Sequence, residues 1–428
     1  ARRAAGIELM VEQLASSDLD AVNVALRTAR ELDDRAVLQA VVASIDGLSE
    51  TNAALALLAL GDIGDQSVVT VLNKNADSGS AGLRLAAIKS LRKVGNASAV
   101  ASLWKAALGS DPRIRDAAIA TLAAIPGEKT NAAIVAGLKS DDAAKRKLAL
   151  ELIASRRITS AVPQLLQLAE GSDKGTRLLA IQALGETAPQ DHLSTLIRWV
   201  IAAKESDERA VTARALQAAC ARLPDRDTCA SELTGSLASA SNTAETTLLE
   251  QLGAMGGPEA LQCLADCAKD SSPDTQDAAT RILGTWIGSD VGPVLLDLAK
   301  TIQNNKYKIR VLRGYIRIAN QFGLPHDEKM AMCQNALTVA QRDDERKLVL
   351  AVLERNPSSI SLRLAVTLLE NAKLKNQAAS VALSIAQRLI EEEPKPVADA
   401  MQEVVDAKVG RNLEDRAKAY LERAKRSL

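Results

Sequence analysis

The sequence has very few aromatic residues. Three Trp, three Tyr and one Phe make up 2% of its 428 residues. A single compact core in a chain of this length would be unusually deep, and large rings are what normally fill such a core. Hydrophobic residues still account for 47% of the chain, which excludes general disorder. The scarcity of rings therefore predicts an extended architecture built from small aliphatic side chains.

An excess of positive charge is also missing. Lys and Arg together number 53, as do Asp and Glu, so the formal net charge is zero. Proteins that bind nucleic acids usually carry a basic excess, because phosphate contacts supply most of their affinity. We therefore expect no nucleic-acid partner.

Long apolar runs are absent as well. No stretch of about 18 apolar residues occurs, so we expect no direct membrane insertion. No signal-peptide pattern is visible. The chain begins with Ala1 rather than Met, from which we expect that the natural protein is processed or trimmed.

Residues that usually carry chemistry are few. His192 and His326 are the only histidines, whereas a zinc site needs three or four ligands. Their positions after Asp191 and Pro325 predict two solvated surface side chains. The glycine-rich phosphate loop, the nucleophile elbow and the zinc-protease motif are all missing. We expect no catalytic residue, no metal and no cofactor.

The sequence does contain an internal repeat. Arg84, Arg115, Arg146 and Arg177 lie 31 residues apart, and each opens a similar phrase. Apolar residues follow each arginine at the fourth and seventh positions, which is typical of one buried helical face. A second apolar stretch, such as residues 98–108, separates these helices. Two antiparallel helices per period of this length are typical of a solenoid.

Less regular copies extend the repeat in both directions. In them the arginine position is taken by Thr51, Thr212, Glu245 and Gln276. The predicted fold is all-α, an α-solenoid of about eleven or twelve helix pairs. We divide it into N-terminal repeats (1–83), regular repeats of about 31 residues (84–290), longer repeats (291–390) and charged capping helices (391–428).

Small residues dominate the inner helix faces, as in GSDPRIRDAAIATLAAI at 109–125. Alanine has the highest helix propensity and lets neighbouring helices approach closely. The composition therefore predicts many modest contacts between layers rather than one core of large rings.

The phrase Asp-x-x-x-Arg followed by small apolar residues resembles HEAT repeats in their short bacterial form. Three pairs carry the resemblance, namely Asp111–Arg115, Asp142–Arg146 and Asp173–Arg177. The unit at Arg84 has Ser80 in place of the aspartate. The resemblance implies an armadillo-type superhelix that binds protein partners.

A narrower resemblance covers about residues 300–390. RGYIR at 313–317 and the ERKLVL helix resemble the C-terminal HEAT-like region of large secreted bacterial proteins. Such proteins often also carry a sugar-active domain of the 3-keto-disaccharide hydrolase type. The resemblance implies an extracytoplasmic setting, periplasmic or secreted, with the cytoplasm as the alternative, and it transfers no catalytic residue.

The arginines have two interpretations. They form either a row of anion-binding groups or a structural ladder, in which each Asp caps its helix and each Arg bonds that Asp or its neighbour in the next layer. The spacing of four residues favours the structural ladder, because side chains so spaced meet on one helix face.

Cysteines and tryptophans offer weaker signals. Cys220 and Cys229 flank one turn between helices, so their Cα atoms could come within the range of a disulfide. Cys263, Cys267 and Cys333 are interpreted as core or boundary residues. Trp104, Trp199 and Trp286 either fill gaps between layers or stack on a base or sugar; the lack of a basic surface favours gap filling.

These observations favour a non-catalytic interaction scaffold that binds a protein partner on its concave face. We expect it to be a module of a larger exported bacterial protein or assembly linked to carbohydrate processing. The alternative is a HEAT-fold enzyme of the lyase or glycosylase type, which would need Trp, Arg and Asp converging in one cleft.

Overall fold

The computed structural model describes residues 2–32, 34–270 and 272–428. These residues form 26 α-helices and eight short 3₁₀ turns, with no strand among them. Up to residue 222 the helices are α1 (Arg2–Leu14), α2 (Leu19–Glu31), α3 (Arg35–Ser44), α4 (Glu50–Ile63), α5 (Val69–Ser78), α6 (Ala81–Val94), α7 (Val100–Ala107), α8 (Pro112–Ala124), α9 (Glu128–Ala136), α10 (Ala143–Arg156), α11 (Val162–Ala169), α12 (Lys174–Thr187), α13 (Leu193–Ala202) and α14 (Ser206–Arg222). The later helices are α15 (Arg226–Ser236), α16 (Asn242–Met255), α17 (Pro258–Cys267), α18 (Pro273–Gly284), α19 (Gly292–Thr301), α20 (Asn305–Gln321), α21 (His326–Val339), α22 (Asp343–Arg355), α23 (Ser359–Val366), α24 (Lys375–Leu389), α25 (Pro394–Asp406) and α26 (Arg411–Arg426).

Even-numbered helices are the first members of helix pairs and odd-numbered helices are the second members. Helices of the same kind stack on one another, as α4 does on α6 and α6 on α8, while α5 packs on α7. Between α1 and α26 the described residues form twelve pairs, α2–α3 to α24–α25. The predicted all-α solenoid of eleven or twelve pairs is confirmed.

The helices group into two compact units. One consists of residues 1–199 and 203–222, the other of residues 200–202 and 223–428. The division into four segments drawn from the sequence stays a prediction. No helix of the described residues is both long and apolar enough to cross a membrane.

A regular series of capping residues starts the first helices. In each, a side-chain oxygen accepts a hydrogen bond from a backbone N–H of the first turn, as favoured at this position. The series runs in steps of 31 residues through Asp18, Ser49, Ser80, Asp111, Asp142 and Asp173. The regular spacing therefore begins at Asp18, well before the phrase at Arg84.

These caps correct two positions of the repeat. Four residues after the cap Ser49 stands Ala53, not Thr51. In α14 the helical hydrogen bonds begin with Arg209 N donating to Glu205 O, so Arg209 and not Thr212 takes the arginine position. Apolar phrases aligned by eye lost the register because the cap, which sets it, was not used.

Small residues let the first helices touch at backbone distance. A Cβ on Gly185 of α12 would lie 2.6 Å from the Cα of Ala215 in α14, and one on Gly61 of α4 would lie 2.6 Å from the Cβ of Ser90 in α6. Real Cβ atoms do not approach so closely, so glycine is required at both contacts. The prediction that small residues permit close stacking is confirmed at these layers.

The last helix has a charged outer face. In α26 the buried residues are Ala417, Leu421 and Ala424, whereas Asp415 and Arg416 are exposed. This pattern agrees with the capping role predicted for the charged C-terminal helices.

Candidate docking surface

The three aspartates of the resemblance cap their helices as predicted. Asp111 accepts from Arg113 N at 2.9 Å, and Asp142 accepts from Ala144 N at 2.8 Å. Asp173 accepts from Thr176 N at 2.8 Å, and this hydrogen bond is the main cause of its lowered pKa.

The arginines bond mainly to other groups than these aspartates. Arg146 Nη1 donates to Ser140 O at 2.8 Å, and Arg177 Nη1 donates to Gly171 O at 3.2 Å. Arg115 instead meets its neighbour Asp116 at 3.2 Å. The aspartate oxygens are already engaged by backbone N–H groups, while carbonyls at the end of the preceding helix need donors. The predicted Asp–Arg bond within each unit is therefore replaced by an arginine–carbonyl bond.

This bond recurs at the arginine position of other pairs, and we call its donors the turn-capping residues. Each donates to a backbone carbonyl near the end of the preceding second helix. The further members and acceptors are Arg84 with Ala76, Arg209 with Lys204, Gln276 with Ala268, and Arg346 with Ala340, at distances of 2.8–3.1 Å.

One part of the predicted contact between layers is present. Arg177 Nε lies 3.7 Å from Glu208 Oε1, which belongs to the next first helix, α14. The charges of Arg146 and Arg177 also help to lower the pKa of Asp173. The structural interpretation of the arginines thus holds, although its main acceptors are carbonyls.

A second set of arginines, missed in the sequence, joins successive first helices near their C-terminal ends. Arg156 Nη1 donates to Leu122 O at 2.7 Å, Arg317 Nη2 donates to Trp286 O at 2.8 Å, and Arg222 donates to Ala188 O. Burial lowers the pKa of all three guanidinium groups. We call them the stacking arginines. Their position near helix C-termini was the available signal, since cations are favoured there.

Tryptophans lie in separate pairs rather than in one cleft. Trp104 is 6% exposed and lies under Lys145, whose Nζ is 5.4 Å from the ring centroid. Trp286 is 5% exposed and donates its indole N–H to Asp290 at 3.2 Å. Trp199, in α13, is half-buried. These contacts agree with gap filling.

The remaining candidate residues do not form a centre either. His326 is exposed and His192 is half-buried. Among the described residues, no three His, Cys, Asp or Glu side chains are arranged to hold a metal ion. Cys229 is buried in the first turn of α15 and carries a free thiol, whose pKa burial raises. The predicted bridge to Cys220, which rests on turn geometry alone, is absent from this structure and stays a prediction for the oxidised protein.

A cleft of about 580 Å³ lies between the first helices α10 and α12. Its charged side chains are already engaged. Arg156 donates to Asn131 as well as to Leu122. Arg157 lies 3.5 Å from Glu186. This first-helix cleft is held together by its own charges.

A second cleft, of about 440 Å³, lies between the second helices α23 and α25. Arg363 of α23 and Asp399 and Glu403 of α25 line it and are exposed. Within the part of the chain that the structure describes, these three side chains make no hydrogen bond or ion pair. Unpaired charges around a concave feature are available to a partner, so this second-helix cleft is the candidate docking surface.

Comparison with known proteins supports the repeat type. The family model for HEAT repeats matches residues 38–123 and 131–218. None of the curated proteins matches the sequence.

Solved structures with similar folds include nuclear transport receptors. Importin β is 16% identical with a TM-score of 0.34, covering 98% of this chain and 62% of its own. Kap95p, from work on its binding to RanGDP, is 14% identical with a TM-score of 0.44, covering 99% and 72%. The CpcE and CpcF complex of phycocyanin lyase from Nostoc sp. PCC7120 is 19% identical with a TM-score of 0.29, covering 58% and 94%. This chain thus spans less than two thirds of importin β, and likenesses this weak say nothing about function.

Proposed function

We propose that this protein is a non-catalytic interaction scaffold that docks a protein partner on its concave face, formed by the second helices. One observation carries the proposal. The charges lining the second-helix cleft, Arg363, Asp399 and Glu403, have no partner among the described residues, whereas the ladder arginines and the first-helix cleft use theirs internally. Solenoids of helix pairs generally bind through such an extended face.

The charges of the cleft suggest the chemistry of the partner. Asp399 and Glu403 stand one helical turn apart on α25, and Arg363 faces the same cleft from α23. A segment with two basic residues and one acidic residue would complement them. Because the cleft is open to water, these pairs contribute more to specificity and association rate than to affinity.

We further propose that the scaffold is a module of a larger exported bacterial protein or assembly linked to carbohydrate processing, in the periplasm or outside the cell. The support is the resemblance of residues 300–390, above all RGYIR at 313–317, to HEAT-like regions of secreted bacterial proteins.

The docking proposal is tested by charge reversal. The full chain, crosslinked in its native source and analysed by mass spectrometry, defines the partners of the wild type. The double variant Asp399→Lys with Glu403→Lys is expected to lose the main partner. Its matched control is Asp415→Lys with Glu422→Lys on α26, which makes the same charge change at exposed positions and is expected to keep that partner.

Two outcomes would contradict the proposal. Crosslinks of the partner that map to first helices, with full retention by the cleft variant, would move the docking surface elsewhere. Turnover of a carbohydrate by the purified chain would contradict the non-catalytic assignment. Fractionation of the native cells, with the chain recovered in the cytoplasm, would overturn the exported setting alone.

A further inference from the structure

Two cysteines of α17 form a pair that the scaffold function does not use. Cys263 and Cys267 stand four residues apart, one turn of the same helix. Cys263 is 9% exposed, while Cys267 is half-buried, so the pair is reached from solvent through Cys267. The two thiols are close enough to share a hydrogen bond, which lowers the pKa of Cys263 to about 7 and raises that of Cys267.

The pair is poorly placed for a disulfide. Side chains four residues apart on a helix have Cβ atoms ~5–6 Å apart, whereas a disulfide needs them at ~3.5–4.5 Å. An atom bound between the two sulfurs lengthens the bridge and removes this mismatch. The helix therefore presents two thiols at a spacing that suits a bridging ion better than a direct bond.

The surroundings of the pair are negative. The charges of Asp266 and Glu259 act on Cys263, and those of Glu245 and Asp270 act on Cys267. The buried hydroxyl oxygen of Thr234, on α15, has no hydrogen-bond partner. Carboxylates around two sulfurs favour a bound cation over an anion or a neutral ligand.

We propose that Cys263 and Cys267 form a two-sulfur site for a soft monovalent cation of the Cu(I) type. Thiolates select soft metals, and no third His, Cys, Asp or Glu among the described residues joins them to complete the ligand set of zinc. On binding, two S–Cu bonds form and both thiol protons pass to solvent, with no change of oxidation state. The inference is independent of the proposed docking function.

The test is an anaerobic titration of the reduced full chain with Cu(I) held by bicinchoninate as a coloured competitor. The wild type is expected to withdraw one equivalent of Cu(I). Cys263→Ser and Cys267→Ser are each expected to weaken this binding more than ~100-fold, beyond the cost of losing an outer-shell group. Cys333→Ser is the matched control and should bind like the wild type, since Cys333 is buried on another helix, α21.

Unchanged Cu(I) affinity in either Cys263→Ser or Cys267→Ser would overturn the proposal. So would loss of the equivalent in Cys220→Ser or Cys229→Ser, which would place the ion elsewhere. X-ray absorption of the wild type loaded with one equivalent of Cu(I) tests the site without any substitution. Two sulfur neighbours per copper are expected, and three or more would contradict the two-sulfur site.

Discussion

The guanidinium of Arg156 donates a 2.7 Å hydrogen bond to the carbonyl oxygen of Leu122, which lies 34 residues earlier on the preceding first helix. The same guanidinium also donates to the side chain of Asn131, at 2.7 and 3.0 Å. One arginine thus joins the end of α10 to the end of α8 and to the second helix α9. Carbonyls in the last turn of a helix have no partner within that helix, so a donor from the next layer satisfies them.

Replacing Arg156 by alanine should destabilise this layer. The carbonyl of Leu122 and the amide of Asn131 lose their donor, and we expect a loss of about 1–3 kcal/mol in the free energy of unfolding. Thermal and denaturant unfolding of the full chain measure it. Arg198→Ala, at an exposed position, is the control and should change stability little. Equal effects of the two variants would show that the bond contributes nothing.

The close contact at Gly185 predicts a strong effect of one methyl group. Gly185→Ala places a Cβ 2.6 Å from the backbone of Ala215, so the helices must move apart, and we expect a net loss of about 1–3 kcal/mol. Gly175→Ala, on the same helix, meets only Asp173 Oδ2 at 3.8 Å and should be neutral or stabilising. Hydrogen exchange of α12 and α14 should rise in the first variant alone.

Asp277 predicts a dependence of stability on pH. Its carboxylate accepts from Lys306 Nζ at 2.6 Å and from Arg310 Nη2 at 3.2 Å, and these partners hold its pKa below the usual value. The folded state therefore binds fewer protons than the unfolded state. The stabilisation is fully present above the usual aspartate pKa of about 4 and disappears as the pH falls through the folded value.

The variant Asp277→Asn tests this dependence. It should be less stable than the wild type at neutral pH, and the difference should shrink as the pH falls below about 4. Thermal unfolding as a function of pH measures it. A difference that stays constant with pH would mean that the charge of Asp277 is not what stabilises the contact.

The buried carboxylate of Glu345 should be sensitive to removal. Its side chain is 1% exposed, and Arg313 approaches Oε1 at 2.8 Å. Glu345→Ala leaves a cavity and an unpaired guanidinium; because Arg313 is 48% exposed and can rehydrate, we expect a loss of about 1–3 kcal/mol rather than more. Asp344→Ala, at a half-exposed neighbouring acid, should cost less, and the reverse order in unfolding experiments would refute the assignment.

The cysteine bridge is testable by peptide mapping. If the protein is exported, oxidation should join Cys220 and Cys229, since disulfides persist in oxidising compartments. Digestion of the native protein without reduction should yield the two cysteines in one linked peptide, which separates on reduction. A digest in which Cys229 is always alkylated would rule the bridge out.

Much of the fold could be predicted from local patterns. The 31-residue spacing and the aspartate caps depend on residues close in sequence, because a cap bonds N–H groups only two or three positions away. The positions of Ala53 and Arg209 were misassigned where apolar phrases drifted, since several alanines and leucines in one helix fit a buried face equally well. The partners of Arg146 and Arg177 were only partly foreseen.

The sequence by itself determined that the chain folds into stacked helix pairs, because helical periodicity, capping residues and small side chains act within one or two turns. Only the tertiary structure decided which carbonyl each arginine reaches, as between Arg156 and Leu122, and which charges stay without partners, as at Asp399 and Glu403. Those outcomes depend on how layers about 31 residues apart are rotated and spaced, and that arrangement is set by packing between helices rather than by any local preference.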